Sequence, residues 1–283
     1  MRVTARGHQE RADQSRARIL DAAIRQFSEE GIAGARTERV AAEAGVNKAL
    51  LYYYFQDKEA LYSAALEAVA QRVLESGMAV MQPGRSAGER LVHFALNHFD
   101  RIHSQQDFQS LMHQEMMRLH QGERNALTPL VETVFRPMML RLREVFAEGR
   151  RSGELIEVDE LQVMYAALGA NVFYFLAGRV MGILLGTDPF ERGALEERRR
   201  AAVEYLGQTI FTDRKHGANV AARVLAATPM PAASTVGNSQ FPVRSSRKKA
   251  GTQRTLNRAL RTENSRSSQQ LPEIKYSRTN EGK

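Results

Sequence analysis

The sequence predicts an all-α protein with a small N-terminal domain followed by a larger helical one. Apolar residues recur at every third or fourth position over most of the chain as far as Phe211, as in helices with one buried face. No segment keeps the alternation of apolar and polar residues that marks a half-buried strand. A length of 283 residues with 43% hydrophobic and 25% charged residues is typical of a globular chain of about two domains.

The first helix is predicted from Ser15 to Glu30. Gly31 follows as a left-handed cap, with Ile32 as the apolar residue just beyond it. The apolar side of this helix carries Ile19, Leu20, Ala23, Ile24 and Phe27. Residues 1–12 are predicted to form a flexible basic arm, which either contacts phosphates or a minor groove or is simply solvated.

Two short helices and a tight turn are predicted between Thr37 and Lys58. Thr37 can cap the first helix and Asn47 the second, because both side chains carry an oxygen that accepts from free N–H groups. Gly45 permits the turn, since glycine adopts positive φ without a steric penalty. Leu51 and Phe55 are four residues apart and would face inward.

The opposite side of the second helix has side chains that suit a DNA groove. Lys48 and Tyr52 share one row, and Ala49 and Tyr53 share another. Lysine donates to guanine, alanine can contact a thymine methyl group, and tyrosine hydroxyls reach phosphates. The pattern predicts a helix-turn-helix that reads duplex DNA. Alternatively, the tyrosines could pack against the first helix, and Tyr54 is the strongest candidate for that role.

These residues resemble the TetR family of regulators. The motifs are RILDAAIRQFSEEG from Arg18, then T-x-x-V-A-x-x-A-G-V, LYYYF and DKEAL, in that order. The resemblance implies phosphate contacts at Thr37, Tyr53, Tyr54 and Lys58, and base contacts at Lys48, Ala49 and Tyr52. The sequence departs from the family pattern at Glu38, where some members carry a basic base-reading residue, and at Leu50, where a small residue is common.

Further helices are predicted as far as Phe211. Their approximate ranges are 58–76, 86 onward, 106–121, 123–150, 159–185 and 193–211. Pro129 and Pro137 should kink or break the fourth of these, because proline removes a backbone hydrogen bond. The domain boundaries follow as 1–12 for the arm, 13–60 for the helix-turn-helix domain, 61–213 for an effector-binding and dimerisation domain, and 214–283 for a tail.

Helix 159–185 is apolar nearly all round. Residues 161–178 carry no formal charge, a run long enough to raise a membrane span, yet Gln162 and Asn171 interrupt it. Burial between subunits is favoured, and no membrane partner is expected. Small residues that would allow a close helix approach are Gly169, Ala170, Ala177, Gly178 and Gly182. The family resemblance implies a homodimer formed by helices 159–185 and 193–211.

The resemblance also implies a small-molecule effector pocket in the larger domain. Candidate lining residues are Phe94, His98, Phe99, Met112, Met116, Phe135, Met139, Phe173 and Tyr174. Core packing is the alternative for each of them, since Met and Phe at helical spacing usually fill cores. No catalytic residues, cofactor or metal site are predicted, because the chain has no cysteine, phosphate-binding loop, nucleophile elbow or HExxH motif.

The net charge of +8 is concentrated near the C-terminus. Residues 214–283 hold 14 basic and 3 acidic residues, whereas the other residues, with 26 basic and 29 acidic, carry −3. A short helix is conceivable over 215–227, and the polar segment 228–283 is predicted to be disordered. That tail could add salt-sensitive DNA affinity or be inert.

The predicted function is a cytoplasmic homodimeric repressor that binds a pseudo-palindromic operator and is released by a small molecule. The absence of cysteine and of an N-terminal apolar run fits that compartment. One alternative is a ligand-independent DNA-binding regulator controlled by a protein partner. A further alternative is an all-α enzyme.

Overall fold

A computed structural model describes residues 2–122 and 126–233, and the side chains from Glu10 onward. The described residues form α-helices and one π-helical segment with no extended sheet, which confirms the all-α class. Tail residues 234–283, which were predicted to be disordered, lie outside the described residues. The helices are α1 (Arg2–Gly34), α2 (Thr37–Glu43), α3 (Lys48–Tyr54), α4 (Lys58–Val80), α5 (Ala87–Ser104), α6 (Gln106–His120), α7 (Leu127–Leu130), α8 (Arg136–Arg151), α9 (Glu160–Leu185), α10 (Arg192–Thr209) and α11 (Arg214–Ala227).

Residues 2–12 of the predicted arm are helical, because α1 already begins at Arg2, and the flexibility of the arm stays a prediction. Glutamine, glutamate, arginine and alanine dominate this stretch, and these residues have high helix propensity. Extending a helix that is already nucleated fixes only one further residue per hydrogen bond, so α1 continues past its buried portion. Gly31 has a positive φ of 69°, as predicted, but its ψ of 172° is not that of a left-handed cap. It kinks α1, which continues to Gly34.

The N-terminal helices α1 to α4 share one hydrophobic core. Ile19, Phe27, Leu51 and Tyr62 are fully buried within it, and the rings of Phe27 and Tyr62 meet edge to face at 5.1 Å. The predicted domain boundary lies at residue 60, but this core continues beyond it. It also includes the first half of α4 and residues of α6, α7 and the π-helical segment (Leu111, Leu130 and Val134).

The larger domain has a second core formed by α5, α8, α10 and α11, with parts of α4 and α9. Three of its helices, α5, α9 and α11, begin at side chains that cap free N–H groups. Ser86 accepts from Glu89 N, and Asp159 accepts from Leu161 N and Gln162 N. These caps place the helix starts within one residue of the predicted positions.

The predicted break near Pro129 and Pro137 is a π-helical segment at Val131–Phe135. It lies between α7 and α8, and Pro137 stands in the first turn of α8. Because proline lacks an N–H, it is tolerated in the first turn of a helix but disrupts the hydrogen-bond ladder further along. Here the prolines change the hydrogen-bond register without separating the two halves.

The prediction of a tail beginning at residue 214 is wrong. Helix α11 (Arg214–Ala227) is capped by Asp213 and packs on α10 and α5. Val220, Ala221 and Val224 are buried in the second core. Their helical spacing was visible in the sequence, but the basic residues around them favoured the interpretation of this segment as a tail. The folded chain therefore extends at least to residue 227.

Candidate nucleic-acid interface and effector region

The α2–α3 pair has the predicted turn geometry. Gly45 has φ of 65° between the helices, and Val46 packs against the first core. The Asn47 side chain accepts from Leu50 N at 2.8 Å, which caps α3. Leu51 and Phe55 face inward as predicted, so the remaining faces of α3 are directed outward.

The outward faces of α3 carry the side chains that were predicted to contact DNA. Lys48 and Ala49 are exposed, Tyr53 is 80% exposed and Tyr52 is 36% exposed. Tyr54 is half-buried against the first core and its ring lies 5.3 Å from that of Tyr53, which agrees with a mainly structural role. The exposed set places a cation, a methyl group and two phenols side by side, a combination that fits base edges and phosphates.

The predicted cap at Thr37 is wrong. Arg36 occupies the cap position of α2, and Thr37 is the first helical residue and is 93% buried. Its hydroxyl shares a hydrogen bond with the Tyr52 hydroxyl at 3.1 Å. In this structure Thr37 therefore orients Tyr52, and the Thr37 hydroxyl can also donate to a phosphate when Tyr52 is the donor in that bond.

Lys58 lies in the first turn of α4, directly after the cap residue Asp57, whose carboxylate accepts from Ala60 N at 2.7 Å. The Lys58 ammonium donates to the Ala33 carbonyl at 3.4 Å and is half-buried. A cation in this position opposes the helix dipole. That cost would be offset if a phosphate bound here.

The sequence analysis missed one contact of the exposed face of α3, the pairing of Lys48 with Glu38. Lys48 donates a hydrogen bond to the Glu38 carboxylate and lies 5.7 Å from the centre of the Tyr52 ring. The bond from Lys48 lowers the pKa of Glu38 and raises that of Lys48. Glu38 had been recognised as a departure from the family pattern, but contacts between separate helices are not visible in the spacing.

Helix α9 presents a long apolar surface to solvent. We call its outward stripe the α9 face; it consists of Gly169, Phe173, Leu176, Val180 and Ile183. Exposure along the stripe reaches 86% at Ile183. Among the described helices, α9 is the one that is long and apolar enough, by length and composition, to cross a membrane. Only 17% of its most apolar 18-residue stretch is buried within the chain. An exposed apolar surface of this extent marks an interaction site with another protein or with a membrane.

The small residues of α9 divide between two roles. A methyl group on Gly169 would meet nothing within 4 Å, so this glycine leaves space for a second helix. Gly178 and Gly182 were predicted to allow helix approach between subunits, but they contact the turn after α9 within the same chain. A methyl group would lie 2.7 Å from Phe190 at Gly178 and 2.7 Å from the Thr187 carbonyl at Gly182.

The predicted pocket residues do not line a single cavity. Phe94 is buried in the second core, whereas Met112 and Phe135 pack against the first. Met116 and Phe173 are 52% and 61% exposed. Met139 is half-buried on α8. These residues are distributed over two cores and the surface, and their part in one shared pocket stays a prediction.

Three of the predicted residues do come together where α5 meets α9. The Phe99 ring lies 6.4 Å from that of Tyr174, and His98 Nδ1 lies 3.4 Å from the Asn171 amide. Arg198 of α10 donates to the Asn171 oxygen at 3.0 Å. We call His98, Asn171 and Arg198 the polar triad. Asn171 and Arg198 were not predicted as site residues, although a fully buried asparagine in an apolar helix is a recognisable signal.

A small cavity of about 10 Å³ lies where α5 ends and α6 begins. It is lined by Arg101, Ile102, Gln105, Phe108 and Gln109. This space is about enough for one water molecule. Burial lowers the pKa of Arg101 to about 10. None of the predicted pocket residues lines this cavity.

Burial of His98 predicts a specific loss of stability in acid. Burial lowers the His98 pKa to about 4, against an ordinary value of 6.5. The unfolded chain binds this proton below pH 6.5 and the folded chain does not, so stability is full above 6.5 and declines toward pH 4. We expect the free energy of unfolding to fall by about 2 kcal/mol more in the wild type than in His98→Gln between pH 7 and 4.5.

Urea unfolding at the two pH values measures this difference. His113→Gln is the matched control, because His113 is exposed on α6. Equal pH dependence in the wild type and His98→Gln would show that His98 is not held neutral by the fold.

Comparisons with known proteins agree with this geometry. Residues 19–65 match the family described as bacterial regulatory proteins, tetR family, and residues 86–206 match the tetracyclin repressor-like C-terminal domain. The HTH-type transcriptional repressor SCO4008 of Streptomyces coelicolor is 49% identical over 53 residues. That match covers 19% of this chain and 28% of the relative, so the curated similarity is confined to the N-terminal helices.

Solved structures extend the likeness to about 70% of the chain. SCO4942 of Streptomyces coelicolor, assigned as a transcriptional regulator, superposes with a TM-score of 0.52 at 27% identity, over 69% of this chain and 98% of that one. A transcriptional regulator from Saccharomonospora viridis, solved with choline, gives a TM-score of 0.56 at 18% identity, over 71% of this chain and all of that one. The helix-turn-helix geometry, the two matched domains and the shared all-α fold together show that the chain belongs to the TetR family of bacterial regulatory proteins.

Proposed function

We propose that the protein is a DNA-binding transcriptional regulator that acts as a homodimer on a two-fold symmetric operator. The observation that carries the proposal is the exposed face of α3, where Lys48, Ala49, Tyr52 and Tyr53 stand on a helix fixed by the Asn47 cap and the Leu51 core contact. Among the described residues, none of these four side chains belongs to either hydrophobic core. It fits the major groove, where a recognition helix places such side chains against base edges.

The α9 face supports the dimer. A single α3 contacts few base pairs, whereas a two-fold pair reads two half-sites about 34–36 Å apart. Burying the α9 face against a second copy would satisfy its apolar surface, and Gly169 would permit close contact there. Helix α10 adds Tyr205, which is 44% exposed, although most of its outer surface is polar.

Regulation by a small molecule is proposed at the polar triad. His98, Asn171 and Arg198 offer donors and acceptors beside the rings of Phe99 and Tyr174, which suits recognition of a compound with both polar and apolar parts. The neighbour from Saccharomonospora viridis holds choline, which is a property of that protein. In this chain the ligand would have to open the packing of α5 with its neighbours.

Helix α6 provides the connection from that region to the DNA-binding helices. Gln114 of α6 donates to the Phe27 carbonyl at 3.0 Å, and Ser28 of α1 donates to Asp107 at 3.0 Å. A ligand that favours a shifted α6 would therefore move α1 and change the separation of the two α3 helices in the dimer. Ligand and operator would then favour different conformations, which is how a repressor is released.

Selection from a randomised duplex library tests the proposal. The full-length protein should enrich a site with two inverted half-sites, and it should bind that site as a dimer in fluorescence anisotropy and light scattering. Thermal-shift screening against diverse compounds then tests ligand control. Silence across the screen would favour the alternative of a regulator controlled by a protein partner, and failure to enrich any sequence would overturn the proposal.

Lys58→Ala is expected to weaken binding to all DNA sequences alike. The ammonium lies at the start of α4, where it can reach a phosphate but not a base edge. Loss of one phosphate contact should reduce the slope of log affinity against log salt concentration by about one. Anisotropy across a salt series measures the slope. Lys215→Ala, which removes an exposed lysine of α11, is the control, and an unchanged slope for Lys58→Ala would exclude the contact.

A further inference from the structure

We propose that Glu38 is a specificity-determining residue of this protein, which reads cytosine in the major groove while Lys48 reads the guanine of the same base pair. The inference rests on the proposed function, since it presumes that α3 enters duplex DNA. It assigns a base-reading role to a residue of α2 and defines the chemistry of one operator position.

The two side chains meet across the turn between α2 and α3. Glu38 lies in the first turn of α2, and Lys48 is the first residue of α3. Their side chains remain 62% and 52% exposed although they are paired. The adjacent Thr37–Tyr52 hydrogen bond, at 3.1 Å, joins the start of α2 to the second half of α3, so the relative position of the two helices is fixed beside the pair.

Folding does not require this ion pair. Pairs between exposed side chains contribute little to stability, because water screens both charges. The carboxylate also has a cost on a DNA-binding surface, since phosphates repel it and it neutralises the neighbouring ammonium. Glu38 therefore weakens sequence-independent attraction. The charge is favourable at the start of α2, where it meets the helix dipole, and a base amino group that donates to the carboxylate would offset the remaining loss.

The major groove presents two such donors, the N4 amino group of cytosine and the N6 amino group of adenine. Only cytosine is paired with guanine, which offers the N7 and O6 acceptors that an ammonium contacts. In an A·T pair the thymine instead presents one acceptor beside a methyl group. A carboxylate and an ammonium held side by side thus match the two edges of one G·C pair.

Site selection with matched variants tests the assignment. The wild type should enrich a half-site with a G·C pair at one fixed position under the start of α3. Glu38→Ala should lose the cytosine preference at that position by about 5- to 150-fold, the discrimination typical of one good base contact. Glu38→Gln should shift the preference toward adenine, because an amide can both accept from N6 and donate to N7.

Asp21→Asn is the control for charge. It removes one carboxylate from the exposed Asp21–Arg72 pair, which joins α1 to α4 and lies off the α2–α3 surface. This variant should enrich the wild-type site unchanged. Equal thermal stability of all four proteins confirms that each is folded.

The outcomes are distinguishable. If the wild type enriches a symmetric site and both Glu38 variants enrich it with the same base preferences, the assignment is overturned and DNA reading by α3 stands. If the wild type enriches no site, the proposed function itself fails and the assignment fails with it. A change confined to overall affinity, with base preferences intact, would also overturn the assignment.

Discussion

Replacing Phe173 and Leu176 together with arginine is expected to leave the protein monomeric and to abolish operator binding at working concentrations. Both side chains stand on the α9 face, at 61% and 65% exposure, and neither belongs to a hydrophobic core of the described residues. Burying one such side chain contributes about 1.5–3 kcal/mol. A two-fold interface loses each contribution twice, and the introduced guanidinium groups would be desolvated in a dimer.

The expected loss of dimer affinity is on the order of 10⁴-fold or more. Light scattering across a dilution series measures the mass, and anisotropy measures operator binding. Leu140→Arg is the matched control, because Leu140 of α8 is 54% exposed and lies outside α9. A dimer of wild-type affinity in the double variant would show that a different surface joins the subunits.

Removing α11 is expected to destabilise the whole larger domain, whereas removing only residues 234–283 is not. A chain ending at Asp213 loses the buried Val220 and Val224, which contribute about 3–6 kcal/mol between them. It also uncovers the apolar residues of α10 against which they pack. Net stabilities of about 5–15 kcal/mol leave little after that loss. We expect Tm to fall by on the order of 10 °C or more.

Thermal unfolding of the two truncations measures the contrast. The chain ending at residue 233 keeps the bond from Arg199 to the Thr228 carbonyl and should unfold at the wild-type Tm. Gly217→Ala provides a second test without truncation, because the added methyl group would overlap the Gly207 carbonyl where α11 crosses α10. If the chain ending at Asp213 had the wild-type Tm, α11 would contribute nothing to the fold.

The sequence was most informative where local rules act alone. The positive φ of Gly31 and Gly45 and the cap at Asn47 were predictable, because each follows from the chemistry of one residue and its immediate neighbours. The inward positions of Leu51 and Phe55 followed from helical spacing. The exposed face of α3 was predictable for the same reason, because it consists of the residues that helical spacing places opposite the buried ones.

Predictions failed where a residue's role depends on a distant partner. Thr37 was assigned to a cap and instead bonds to Tyr52 of the next helix. The pocket residues were chosen by composition, but the directions of α5, α6 and α8 distribute them between two cores. Gly178 and Gly182 fit their own turn because the chain folds back after α9, which helical spacing does not encode.

The sequence by itself determined the helical class, most helix ends and the helix-turn-helix, because these depend on residues within about four positions of each other. It also determined the family resemblance, which rests on the order and spacing of short motifs. Only the tertiary structure decided that Glu38 lies beside Lys48, that Asn171 joins His98 to Arg198, and that α11 belongs to the core. Those facts depend on helix crossings, and crossings are set by how whole side-chain surfaces pack rather than by any local pattern.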